Sequence, residues 1–257
     1  MAAEYQSAIK TAETYYDSPD ADTFYSIIWG GEDIHVGLYQ SRDEDIAAAS
    51  ARTVAHMAAQ LGDLAEGTKI LDIGAGYGGA ARHLARKTGA HVTCLNLSEA
   101  ENARNRALNA EQSLEDRIEV RHGSFEDIPY PDESFDVVWS QDAILHSGDR
   151  ERVLKEVRRV LKPGGVFIFT DPMQADEIDD ASALQPIYDR INLPDLGSFG
   201  FYTQTLNALG FTGIETEDLS HQLRNHYARV REELAARREE IGGKISADYV
   251  ERMLNGL

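Results

Sequence analysis

Cysteine occurs once in the 257 residues, at Cys94, so no internal disulfide can brace the chain. Lysine is nearly as sparse, confined to positions 10, 69, 87, 155, 162 and 244. Acidic residues number 44 against 25 basic ones, a formal net charge of −19. That imbalance repels phosphate backbones, and no basic stripe interleaved with aromatics offsets it, so nucleic acid is excluded as a partner. No apolar run approaches the roughly 18 residues of a membrane helix, which excludes a span. The opening stretch MAAEYQSAIK lacks the basic start and apolar core of a signal peptide, and a cytoplasmic location is expected. His35, His83, His91 and His122 lack metal-ligand spacing, so no metal is expected. An acidic, Lys-poor surface suits a cell that accumulates salt, where screening weakens self-repulsion; an ordinary acidic soluble protein is the alternative.

From Lys69 onward, strand and helix signals alternate, the pattern of a parallel sheet covered by helices on both faces, and the fold class expected is α/β. KILDIG reads as a first strand, GGAARHLARKTG as a helix stopped by Gly89, and HVTCLNL as a second strand. Ser98 and Glu101 have the spacing of a capping box ahead of a long helix. RIEVRHG, FDVVWSQ and VFIFTD supply further strands, with the helix RERVLKEVRRVLK before the last, and TGIETEDLS a weak additional one. One domain over 1–257 is expected: a helical lid at 1–66, a cofactor-binding core at 67–171, and a substrate segment with C-terminal helices at 172–257.

The run ILDIGAGYGG, Ile70 to Gly79, satisfies the dinucleotide pattern G-x-G-x-x-G through Gly74, Gly76 and Gly79, and equally G-x-G-x-G through Gly78. A nicotinamide enzyme needs an acid about 20 residues on for the ribose hydroxyls. The second strand ends instead at Asn96. Asp72 within the first strand, SQDAILH after the fourth and VLKPGG before the fifth together resemble the class I, Rossmann-like S-adenosylmethionine-dependent methyltransferases. The resemblance implies that Asp72, Gly74, Gly76 and Gly78 line S-adenosyl-L-methionine, the glycines leaving room against bare backbone. It implies that Asn96 takes the ribose with Leu97 beside the adenine, that Ser124 and Phe125 flank the adenine, and that Gln141 closes the site.

The likeness reaches further. FYSIIWGGEDIHVGLY, SQDAILHS, TDPM and QPIYDRINLPDLGSFGFY resemble the sarcosine/dimethylglycine N-methyltransferases, which complete the synthesis of glycine betaine, a compatible solute. A closing strand rich in Trp and Gly would be expected after the last helix; the sequence ends at Asn255, Gly256 and Leu257, so it is expected to be shortened there or to close its sheet differently. The partner implied is a small amino acid; a homo-oligomer is compatible with the sequence.

Methyl transfer to nitrogen requires an unprotonated amine held in line with the methyl carbon. Asp142 and His146 are the candidate catalytic residues: if SQDAILH begins a helix, their spacing puts both on one face at the end of a strand. The bland alternative is that His146 packs the turn and Asp142 is a helix acid. A quaternary ammonium product favours aromatic walls, for which Tyr25, Trp29, Tyr39 and Tyr202 are candidates, although helix-spaced aromatics also serve as core. Tyr25 and Trp29 double as cofactor candidates. Arg190 offers a planar fork for the substrate carboxylate, or else a surface pairing with Asp189 or Asp195. Met173 supplies an apolar wall, and Gln141 borders substrate as well as cofactor. Three rivals stay open: a methyltransferase for another amine or a lipid carbon, a dinucleotide oxidoreductase, and a non-catalytic protein that keeps the cofactor fold.

Overall fold

In the computed structural model, residues 17–178, 180–191 and 195–256 are described, the side chains at 181, 190, 191, 255 and 256 excepted. The sheet runs β3-β2-β1-β4-β5, with β1 (Lys69–Ile73) at its centre, β2 (His91–Asn96) and β3 (Ile118–His122) on one side, and β4 (Phe135–Gln141) and β5 (Leu161–Thr170) on the other. Every pairing is parallel. Central parallel strands are covered on both faces, which is why β1 reads as a continuous apolar run with four of its five residues buried. Its alternation divides the core: Ile70 packs with Leu84, Cys94 and Trp139, whereas Leu71 and Ile73 pack with Val138, Leu154 and Tyr202.

The helices begin and end where local chemistry says they should. α1 (Pro19–Phe24) is capped by Ser18 and runs into a π-turn, Tyr25–Trp29, closed by Gly30 in the left-handed region. α2 (Ile46–Gln60) lies before the sheet. α3 (Gly79–Thr88) starts at Gly78 and stops at Gly89, both left-handed. α4 (Glu99–Glu111) is capped by Ser98, whose hydroxyl accepts the Glu101 N–H at 3.1 Å. α5 (Arg150–Val160) is capped by Asp149. α6 (Gln185–Ile191), α7 (Phe199–Ala208), α8 (Ser220–Ala236), α9 (Arg238–Ile241) and α10 (Ala247–Gly256) complete the chain.

Two expectations need correction. The lid is not helical throughout: between the π-turn and α2 the chain is irregular, while its first 16 residues lie outside the described ones. TGIETEDLS forms no strand. Gly213 there is left-handed, and the run is mostly exposed with only Ile214 packed on the core, so little burial rewards extension along the sheet. A third core joins the two flanks, packing Phe24, Ile28 and Trp29 against Val230, Leu234, Tyr249 and Met253. Among the described residues, no helix is long and apolar enough to cross a membrane.

Candidate active site

The strand order reverses beside β1, and in open α/β sheets ligands bind in the crevice at that place, beyond the carboxyl ends of the strands. Immediately after β1, Gly74, Gly76 and Gly78 take φ values of 75°, 50° and 77°, which side-chain-bearing residues adopt only with strain. The room their missing side chains leave is not open to a ligand, as the resemblance implied, but is taken by the protein. A Cβ on Gly74 would lie 2.3 Å from Ala143 Cβ, one on Gly76 3.1 Å from Ile34 Cδ1, and one on Gly78 2.3 Å from Asn105 Oδ1. What the loop offers a ligand is its main chain.

The irregular segment from Glu32 to Tyr39 closes over this loop. Its N–H groups are spoken for by distant side chains: Val36 donates to Asp142 Oδ2 at 2.7 Å, Gly37 to His226 Nδ1 at 3.2 Å, and Tyr39 to Gln222 Oε1 at 2.8 Å. Arg82, fully buried on α3, ties the two layers together by donating to Glu32 at 2.5 Å and to the Tyr77 carbonyl at 2.7 Å.

Buried acids line this end of the sheet. Burial pushes the Asp72 carboxyl up to about 8 and that of Asp33 up to about 6, the neighbouring charge of Asp33 adding to the Asp72 shift. Asp33 Oδ1 is buried without a hydrogen-bond partner, and so is Gln141 Nε2, whose own carbonyl oxygen accepts from Trp139. At the end of β2, Asn96 donates to Glu101 at 2.8 Å, and burial raises Glu101 to about 7. The acid missing from the strand end thus arrives a helical turn later, on the residue read from sequence as half of a capping box. At the end of β5, Asp171 accepts from Tyr202 Oη at 2.6 Å and from the Leu145 N–H at 2.9 Å, and burial lifts it to about 7. Asp33 and Asp171 were not singled out from the sequence, and Glu101 only as a helix-capping residue. Only their neighbours in motifs, GGEDIHVG, SEAE and TDPM, could have flagged them.

SQDAILH does not begin an α-helix. Asp142 sits at φ 49°, followed after Ala143 by a short 3-10 turn, Ile144–His146. The reason is local competition for Asp142: its N–H donates to the Thr170 carbonyl, prolonging the ladder past β4, while its two carboxylate oxygens accept from Val36 and Thr170 Oγ1. The helical spacing of Asp142 and His146 is therefore lost. His146 is half-buried at the end of the turn.

The aromatic candidates fall in two places. Tyr25, Trp29 and Tyr39 gather near His226: Tyr25 and Trp29 have ring centroids 5.0 Å apart, Trp29 and His226 5.1 Å, and Tyr39 Oη meets His226 Nδ1 at 2.9 Å. Tyr202 lies beneath β5 against Phe169. Phe125 borders the glycine loop near Gly74, Ser124 caps the Glu126 N–H, Leu97 is half-buried, and Met173 packs on the core cluster to which Tyr202 belongs. The side chain of Arg190 lies outside the described residues.

Comparison with known proteins places this geometry. Residues 71–169 match a methyltransferase domain family. The chain is 57% identical to a sarcosine/dimethylglycine N-methyltransferase of Halorhodospira halochloris, over 100% of its own length and 92% of the relative's. A crystal structure described as a sarcosine dimethylglycine methyltransferase of Galdieria sulphuraria superposes with a TM-score of 0.88 at 47% identity, covering 94% of this chain and 90% of that one. A Haemonchus contortus phosphoethanolamine N-methyltransferase, complexed with S-adenosylhomocysteine, superposes at 0.80 over 95% of this chain and 55% of its own; at 21% identity that is a likeness of fold alone.

Proposed function

The chain belongs to the sarcosine/dimethylglycine N-methyltransferases, whose methyl donor is S-adenosylmethionine, and we propose that it methylates sarcosine and then N,N-dimethylglycine to give glycine betaine. Identity spread over the whole chain, including the segments outside the cofactor core, carries this reading. The accumulating product suits the acidic surface, a salt-stressed cell and a cytoplasmic setting.

The residues fit the cofactor. Asp33 presents a buried acceptor oxygen without a donor, Asp72 lies buried near the end of the first strand, and Gln141 holds a spare buried N–H pair. When bound, S-adenosylmethionine supplies an electrophilic methyl carbon on its sulfonium. Gly74, Gly76 and Gly78 hold it by their main chain; Asn96, backed by Glu101, takes the ribose, Leu97, Ser124 and Phe125 the adenine, and Tyr25 and Trp29 cover it.

On the substrate side, Arg190 binds the carboxylate, and Met173, Tyr39, Tyr202 and Gln141 border the methylated amine. At neutral pH such an amine is mostly protonated, so a proton must leave before the nitrogen attacks. His146 accepts it. Asp142, with both oxygens already engaged, keeps Val36 and Thr170 fixed beside the reacting groups.

The test is transfer from methyl-labelled cofactor to glycine, sarcosine, dimethylglycine or phosphoethanolamine. Sarcosine and dimethylglycine should take the label. Preference for glycine or phosphoethanolamine would refute the proposal. His146→Ala should lower turnover without weakening cofactor binding.

A further inference from the structure

His146 is anchored differently on its two sides. Downstream, one carboxylate oxygen of Glu126, buried in the loop after β3, accepts the Ser147 hydroxyl and, at 3.3 Å, the Asp149 N–H. The Glu126 N–H donates to Ser124 Oγ at 3.1 Å, so this anchor belongs to the loop read above as flanking the adenine. Upstream stands Leu145. Its N–H donates to Asp171 Oδ1 at 2.9 Å, its carbonyl accepts from Arg150 Nη2 at 3.1 Å, and its side chain shares a buried cluster with Tyr188 of α6 and Leu196. The residue next to the imidazole is thus gripped by α5, by the end of β5 and by the segment that follows it.

Arg150 does more than hold that carbonyl. The same guanidinium donates to the Asp195 carbonyl at 2.7 Å and to the Asp195 carboxylate at 2.6 Å, on a side chain only 11% exposed. Gln174 completes the ring of contacts, its Oε1 accepting from Tyr188 Oη at 2.7 Å and from the Leu196 N–H at 2.9 Å. A planar fork bridges groups on two elements with little freedom, which a flexible ammonium cannot do. Arg150 Nε is buried and has no acceptor among the described residues. Desolvating a guanidinium left so incompletely satisfied costs stability, and calls for a task beyond holding the fold.

We propose that Arg150 is a positioning residue for the proton transfer: by fastening Asp195 to the Leu145 carbonyl, it lets the seat of the substrate segment set the direction of the His146 imidazole. This rests on the N-methyltransferase reading above, in which His146 accepts the proton of the amine and the segment after β5 borders the substrate. The chemistry asks for such a joint. A proton passes only across a hydrogen-bond distance, and an error of about 1 Å between base and substrate lowers the rate on the order of a hundredfold. Groups carried on separate elements meet that tolerance only if the elements are tied directly. Arg150 supplies the tie and acts through His146 rather than on the substrate.

A double-mutant cycle on the full chain tests this, with methyl-labelled S-adenosylmethionine and saturating dimethylglycine. Arg150→Gln should lower kcat on the order of ten- to a hundredfold, while calorimetric affinity for S-adenosylhomocysteine stays within about twofold. In a His146→Ala background the same change should have almost no further effect on kcat, because no imidazole is left to direct. Asp195→Ala cuts the joint from its exposed side; it should show the same pattern at smaller size, and serves if Arg150→Gln folds poorly. Losses that multiply in the double variant, or equal damage to kcat and to cofactor binding, overturn the proposal, since a residue that supports only the fold acts with or without His146. An unchanged kcat in Arg150→Gln or in His146→Ala overturns it as well. Failure of the unaltered protein to methylate sarcosine or dimethylglycine would instead remove the reading on which it stands.

Discussion

Arg82 Nε lies 2.5 Å from Glu32 Oε2, the guanidinium fully buried and the carboxylate about a third exposed. The rest of the fork reaches the Tyr77 carbonyl at 2.7 Å and Asn109 Oδ1 at 2.9 Å, so one cation binds α3, α4, the glycine loop and the covering segment. Replacing it with methionine strands four acceptors, Asn105 Oδ1 at 3.3 Å being the fourth. Arg82→Met should cost about 2–4 kcal/mol in urea unfolding and raise KM for the cofactor more than it lowers kcat. Lysine cannot reproduce the fork and should restore less than half of either loss. Equal damage to kcat and KM would mean that the residue supports the fold alone.

The glycine loop makes a sharper prediction, since two of its positions combine left-handed backbone with an occupied Cβ site. Gly74→Ala and Gly78→Ala should each destabilise by more than about 2 kcal/mol, because the new methyl group must displace Ala143 or Asn105 as well as bear the strained φ. Gly164 has the same backbone, at φ 78°, with nothing within 4 Å of its Cβ position. Gly164→Ala isolates the backbone cost, about 1–2 kcal/mol. Matching losses at the three positions in thermal unfolding would show that packing on the loop contributes nothing.

Period and punctuation made the sheet legible. KILDIG, HVTCLNL and FDVVWSQ are apolar runs flanked by Gly or polar turns, and each is a strand where expected. Side chains whose partners lie far along the sequence left no such trace. Asp142 has the spacing of a helix residue, yet an N–H from a residue 106 positions earlier helps hold it in the left-handed region. Asp33 looks like a solvated acid among its neighbours, and only the tertiary fold presses it against Gly79. The aromatic stripe Tyr25–Trp29 was visible as a pair; its packing on His226 of α8 was not.

The short contact between Tyr202 and Asp171 predicts a pH-dependent cost. Asp171 sits at about 7, above its unfolded value near 4, so its contribution to stability is complete below pH 4 and lost as pH rises to 7. Burial is the main cause, and the Tyr202 hydroxyl opposes it by favouring the ionised form. Tyr202→Phe should then cost about 1 kcal/mol at pH 5, where the acid is mostly neutral, and about 2–3 kcal/mol at pH 8. Urea unfolding at the two pH values measures the difference; a cost independent of pH would mean the hydroxyl does not support the charge.

His226 and His35 give the opposite sign. Both are buried neutral, with burial holding His226 down at about 3 and His35 at about 4. Folded values below the unfolded 6.5 mean that their contribution is complete above pH 6.5 and is lost as pH falls toward 3. The Nδ1 of His226 accepts the Gly37 N–H and meets the Tyr39 hydroxyl, which leaves its proton on Nε2, a buried position without a partner. A second proton can enter only at Nδ1, and there it breaks the contact that fastens the covering segment to α8. Acidification should accordingly release this segment, and the emission of Trp29, packed at a tilt against His226 and hydrogen-bonded to the His35 carbonyl, should shift to the red. His226→Gln keeps an acceptor for Gly37 and cannot titrate, so its transition should move to lower pH while His35 retains its share. If variant and unaltered protein change at the same pH, protonation of His226 is not what frees the segment.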